Sequence, residues 1–185
     1  MAVILDQVFE KLTDLKVGDY ENCLFRNAQF AEADFSQFRF IDCRFEDSDL
    51  SLSNFQGTLL QNCHFRHCKI LGINFEQINP FGLGLKFEHC QLSHSSFFQL
   101  NLSKTEFLYC NLKEVDFTQA KLKGASFAYS NLENTRFENS DLENADFRYS
   151  TNLILNPENN YLKKAKFTRE ILPGLLTNYN LIIEE

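Results

Sequence analysis

No tryptophan and a single methionine stand in a chain of 185 residues that nevertheless holds 20 phenylalanines, the bias left when one kind of position recurs. The N-terminus, Met1-Ala2-Val3-Ile4-Leu5-Asp6, has no basic residue ahead of its apolar run. That run is far too short for a signal peptide or a membrane span, so a cytoplasmic protein without membrane contact is expected. The chain has no phosphate-binding glycine loop ending in Lys-Ser/Thr, no His-Glu-x-x-His and no nucleophile elbow. These gaps argue against an enzyme and imply no cofactor. Positive charge is also short: the formal net charge is −7, which disfavours direct binding of a nucleic-acid backbone and favours basic partners. The excess is uneven, with 11 acids against 5 bases in residues 1–49, 2 against 4 in 50–104, 8 against 5 in 105–150, and 4 against 4 in 151–185.

What is present is a period of five. Every fifth residue from Tyr20 reads Phe25, Phe30, Phe35, Phe40, Phe45, Leu50, Phe55, Leu60, Phe65, Ile70, Phe75. A second run alternates Phe and Leu from Phe87 through Leu92 and Phe97 to Leu142 and Phe147. Five fits neither the 3.6 of a helix nor the 2.0 of a flat strand, so each step turns a corner after a short extended piece, the pattern of a solenoid. Two residues before each centre stands a small or apolar residue, as at Ala28, Ser48, Thr58, Ser95, Ala125 and Ala145, and this position is expected to face inward as well. All six cysteines, Cys23, Cys43, Cys63, Cys68, Cys90 and Cys110, occupy it. They read as core filler in a reducing compartment, in preference to a zinc site or a disulfide framework.

Phe75 and Phe87 are twelve residues apart instead of ten, and the two-residue excess lies within 76–86. With those two residues removed, a four-step coil carries only Phe on two opposite faces: Phe25, Phe45, Phe65, Phe87, Phe107, Phe127, Phe147 on one, and Phe35, Phe55, Phe75, Phe97, Phe117, Phe137 on the other. This consistency marks a bulge and not a domain boundary.

Repeats such as Asp141-Leu142-Glu143-Asn144-Ala145-Asp146-Phe147 resemble the A(D/N)LXX consensus of the pentapeptide-repeat family over roughly residues 18–150. The resemblance implies an all-β chain folded as a right-handed quadrilateral parallel β-helix, four pentapeptides to a coil. Residues 1–17, with Phe9, Leu12 and Leu15 spaced as in a short amphipathic turn or a first irregular coil, then read as the N-terminal cap, 18–150 as the solenoid, and 151–185 as a C-terminal cap with a short helix, in whose first turn Pro173 would sit. At about 4.8 Å per coil the solenoid makes a rod of roughly 30 Å.

Quinolone-resistance (Qnr-like) and gyrase-directed microcin-immunity proteins are similar at the C-terminus, where a short helix precedes an apolar tail that dimerises. The similarity implies a homodimer through Leu175, Leu176, Tyr179, Leu181, Ile182 and Ile183. Two joined rods would span about 60 Å, comparable with roughly 20 base pairs. The partner so implied is DNA gyrase or topoisomerase IV, with Glu133, Glu138, Asp141, Glu143 and Asp146 standing in for phosphates. Gly72 resembles the glycine step where such rods bend, and Pro80, Phe81 and Gly82 form a bulge in place of their long loops. The competing expectation is a scaffold or regulatory interaction module with no topoisomerase target. His64, His67, His89 and His94 fall outward near mid-rod and read as solvated surface.

Overall fold

The computed structural model describes residues 2–184. Five-residue steps turn the chain through left-handed corners: two residues after each centre φ is positive, as at Asn22, Asp47, His67, Gln99, Tyr129 and Asn144. One circuit takes twenty residues and brings like positions into parallel pairing, Arg44 to Leu24 and His64 to Arg44.

The longest extended stretches are strands β1 (Val3–Leu5), β2 (Val8–Glu10), β3 (Asp19–Glu21), β4 (Leu24–Arg26), β5 (Arg39–Ile41), β6 (Arg44–Glu46), β7 (Leu59–Gln61), β8 (Cys63–Arg66), β9 (Leu85–Glu88) and β10 (Glu106–Leu108). They form two parallel sheets on neighbouring faces, ordered β1-β3-β5-β7 and β10-β9-β8-β6-β4-β2. Beyond β10 single bridges carry the same register as far as Asp146 and Lys166.

The core is a stack of rings. On one face Phe9, Phe25, Phe45, Phe65, Phe87, Phe107, Phe127, Phe147 and Phe167 lie nearly parallel with centroids 4.8–5.3 Å apart. The opposite ladder, Phe35 to Phe137, meets it edge to face, Phe107 to Phe117 at 5.3 Å and Phe127 to Phe137 at 5.4 Å. Offset stacking along the axis and T-shaped contacts across it are the two geometries that aromatic quadrupoles favour. Leu92, Leu112 and Leu132 line one remaining face and Leu102, Leu122 and Leu142 the other, all buried.

The inward position before each centre does more than fill space. Ser53 and Thr58 donate to the carbonyls of Phe30 and Phe35 one coil earlier, at 2.7 and 2.6 Å, and Ser130 and Ser140 do the same to Phe107 and Phe117. Cys43, Cys63, Cys68 and Cys90 make the equivalent thiol bonds to Tyr20, Phe40, Phe45 and Phe65 at 3.3–3.4 Å. These donors tie each coil to the one before it; at Phe107 the hydroxyl gives a buried carbonyl its partner, and at Phe30, Phe35 and Phe117 it adds to a bond from the N–H three residues on. Phe38 fills this position with a large apolar side chain: it is buried and stacks on Phe40 at 5.7 Å.

All six thiols are free and buried. Burial pushes Cys43 and Cys90 up to about 12 and holds Cys63 well above the usual thiol range, while hydrogen bonding to Cys90, then burial, raises Cys68. The thiolate is the reactive form, so these four should label slowly at pH 8 in the native state; burial shields Cys23 and Cys110 from reagent as well, and all six should become fast only in denaturant. For these four groups the folded value lies above the unfolded one, so the unfolded chain loses its protons first. The stability that these thiols contribute is therefore full below about pH 9 and is lost as pH climbs toward 12, and Cys43→Ala should remove its share of that loss in melting scans. Rapid native labelling of several thiols would contradict the donor role.

The ends refine the sequence reading. Of the two readings of residues 1–17 the structure has the first coil and not the amphipathic turn: β1 and β2 pair with β3 and β4, Ile4 opposite Tyr20 and Phe9 opposite Phe25. This first coil is four residues short, which is why its period is invisible. At the far end the solenoid register outlasts residue 150, since Phe167 stacks on Phe147. The short helix is a 3-10 helix that begins at Arg169, so Pro173 lies inside it and not in its first turn. Ile171 and Leu175 of this helix pack against the last coil as a lid.

Candidate protein-interaction surface

Because a coil takes twenty residues to come round, acids close in sequence need not be close in space. Glu133 follows Leu132, Glu138 follows Phe137, Asp141 and Glu143 flank Leu142, and Asp146 precedes Phe147, so the five anticipated phosphate mimics lie on all four faces of the rod. Most are also partnered. Lys113 and Lys123 reach Glu133 and Glu143 at 2.8 and 2.6 Å, and Arg148 reaches Asp146 at 2.7 Å. The Lys123 ammonium holds the Glu143 carboxyl below its usual range, and the Arg148 guanidinium does so for Asp146. Glu138 accepts from the Asn159 amide at 3.1 Å, and Asp141 accepts from the Glu143 backbone N–H at 3.1 Å. The face that carries Asp141 and Glu143 also carries exposed Lys121, Lys123 and Lys163, with Lys104 and Lys164 at its corner. The charge there is positive on balance, and no single acidic saddle forms.

The same arithmetic uncovers an unforeseen feature. His67, His89, Tyr109, Tyr129 and Tyr149 occupy one corner on successive coils and stack with centroids 4.8–4.9 Å apart. The three tyrosines are about half exposed. Each adopts positive φ, which a bulky residue pays for in backbone strain. Beside this ridge runs an amide ladder: Asn152 donates to Asn131, Asn131 to Asn111 and Asn111 to Gln91 at 2.8–3.3 Å. The signal was present as an aromatic at every twentieth position.

The remaining histidines do not join them. His64 lies on the neighbouring face with Nε2 lacking a hydrogen-bond partner and 3.5 Å from Glu88, and His94 reaches Glu114 at 3.1 Å. Burial and the Lys86 ammonium lower the His64 pKa. Among the described residues no group of three or more His, Cys, Asp or Glu side chains could hold a metal ion. None of the described helices is long and apolar enough to cross a membrane.

The anticipated dimer residues divide into two sets. Leu175 packs on the core and Leu176 is half-buried, with its N–H donating to the Pro173 carbonyl. Tyr179, Leu181, Ile182 and Ile183 are exposed, Ile182 to 91%. The Tyr179 hydroxyl donates to Glu158 at 2.8 Å.

In the bulge, Asn79 pairs with Leu59 and Leu85 with Cys63, which confines the two extra residues to 80–84. Phe81 projects there, 73% exposed, and the Gln61 side-chain amide donates to its carbonyl and packs on Gly82. Gly72 sits at an ordinary left-handed corner, its N–H donating to Ser93, so pairing runs through the expected bend without a break.

A family profile described as a pentapeptide repeat region matches residues 19–80 and 83–147, and its gap at 81–82 falls inside the bulge. No curated protein matches the chain. Among solved structures, a trypsin-treated point variant of QnrB1, described as a plasmid-mediated fluoroquinolone resistance protein, superposes with a TM-score of 0.65 at 18% identity, covering 98% of this chain and 97% of that one. A different trypsin-treated point variant of QnrB1 gives 0.63 at 16% identity, covering 99% of each chain. At such identities the likeness is one of fold.

Proposed function

This chain belongs to the pentapeptide-repeat family, and from that premise we propose that it is a non-catalytic binding protein, a DNA-mimicking rod that docks on DNA gyrase or topoisomerase IV and protects the enzyme from a quinolone-type drug or peptide toxin. The observation that carries this reading is the tail. Beyond the lid that closes the rod, Leu181, Ile182 and Ile183 are 58%, 91% and 54% exposed, an apolar segment that one chain leaves uncovered. Pairing two tails covers it and yields a homodimeric rod of duplex-like length. In that pair the negative excess of residues 1–49 lies toward the two outer ends, and the acids from Glu133 to Asp146 contribute less than their number suggests. Among the described residues the interior from Phe25 to Phe147 is filled by buried ring and leucine side chains, which supports a role carried out on the surface.

The test is supercoiling by purified gyrase with and without a quinolone. Added wild-type protein should restore supercoiling in the presence of the drug, with binding that weakens as salt rises. Deleting residues 179–185 should yield monomers that no longer protect, while the solenoid's circular dichroism persists. Wild-type protein that neither binds nor protects gyrase would reject the reading. In its place would stand an interaction module without a topoisomerase target, which the dispersed, neutralised acids and the lysine-bearing face favour.

A further inference from the structure

The two ends of the rod are finished differently. At the C-terminal end the lid covers the last coil, but the N-terminal coil has nothing above it among the described residues. Strands β1 and β2 are the outermost members of their sheets, each paired on one side only. Their inward residues show the consequence: Ile4, Phe9, Leu12 and Leu15 are only half-buried, whereas Tyr20 and Phe25 one coil deeper are 3% and 0% exposed. Together they line an apolar mouth of about 540 Å³. Flanking it, Val3 and Val8 are each 60% exposed and Leu5 49%. At three residues each β1 and β2 are short and β2 ends in Glu10, but neither carries a proline or an inward charge, and among the described residues no segment covers them.

We propose that this end is a docking surface for the same end of a second copy of the chain. The rim carries both signs, Asp6, Glu10 and Asp14 with Lys11 and Lys16. A mixed rim can pair with its own two-fold image, whereas a rim of one sign would repel it. The alternative apolar occupant, the Leu181–Ile183 tail of another copy, brings the acidic Glu184-Glu185 pair, with no base of its own, to a rim of three acids and two bases. A two-fold arrangement also sets the free edges antiparallel, a pairing that open strands readily make. The contact uses the end opposite the tail and does not depend on the function proposed above. Where both contacts form, rods join into strings.

The buried native thiols make an engineered one selective. In the full chain, Gln7→Cys at the exposed edge of the mouth should be joined to a second Gln7→Cys chain by a flexible bifunctional maleimide at micromolar concentration. Adding Leu15→Glu, which puts a charge in the mouth, should weaken the association at least about tenfold, seen as loss of the cross-link and a lower mass in sedimentation. Should Leu15→Glu unfold by circular dichroism, Val8→Lys on the exposed side of β2 replaces it with the same expectation. The proposal is overturned by a Gln7→Cys chain that gives no cross-link and whose sedimentation mass both substitutions leave unchanged. It is overturned equally if Gln7→Cys links only to a Glu184→Cys partner, the signature of head-to-tail contact.

Discussion

Replacing Phe107 by alanine should lower unfolding stability by about 3–5 kcal/mol, whereas Gln119→Ala should change it by less than about 0.5 kcal/mol, both read from chemical denaturation. Phe107 has no exposed surface and is held by four rings: Phe87 and Phe127 stacked at 5.2 and 5.3 Å, Phe97 and Phe117 edge-on at 5.6 and 5.3 Å. Removing the ring opens a void between coils whose spacing is fixed by backbone pairing above and below, so the walls cannot close on it. Gln119 is an exposed corner residue whose side chain accepts one bond from Gln99 at 2.7 Å. Both Gln and Ala have a Cβ, so the left-handed backbone strain there is common to the two. Equal losses at the two sites would mean that the inward and outward positions have been misassigned.

Gly174→Ala should detach the lid. A Cβ at this position would land on the Leu153 carbonyl oxygen, with the Leu153 carbonyl carbon and Ile154 Cα close behind. The Leu155 N–H also donates to the Gly174 carbonyl at 3.1 Å, so the two segments cannot slide apart without losing that bond. Because the obstacle is backbone and not a flexible side chain, the lid must shift as a body, at a cost of about 1–3 kcal/mol or more. Limited proteolysis should then cut within 151–185 at least about tenfold faster than in the wild type, while the Phe ladder from Phe25 to Phe127 keeps its hydrogen-exchange protection. An unchanged cleavage rate would show that the lid does not seat against Leu153.

The core was legible because it depends only on register: five-residue spacing put both Phe ladders and all six thiols inside, and a phase slip located the bulge. Surface arrangement obeys a different arithmetic. Glu138, Asp141 and Asp146 are neighbours along the chain but are carried to different sides by the corners between them, while Tyr109, Tyr129 and Tyr149 are distant along the chain and touch. Grouping charges by twenties would have revealed the lysine-bearing face and the ring ridge. The ends were legible only in outline, as an irregular opening and a short closing helix, for a third reason. The first coil is four residues short and the lid is a 3-10 helix, so neither keeps the spacing that made the middle readable.

The uniform offset of the bridges beyond Phe87 bears on how such a chain can change over generations. Asn111 pairs with Asn131 and Asp116 with Arg136, always twenty apart. Loss of Asn111–Ser130 would join Cys110 to Asn131 and leave every ladder in phase, whereas loss of roughly one or two residues fewer would turn apolar centres toward water. Rod length is thus inherited in whole coils, in steps of about sixty bases in the gene, each shifting one end by about 4.8 Å relative to the other. Whatever spacing a partner demands between the two ends, recombination can reach it only in those increments.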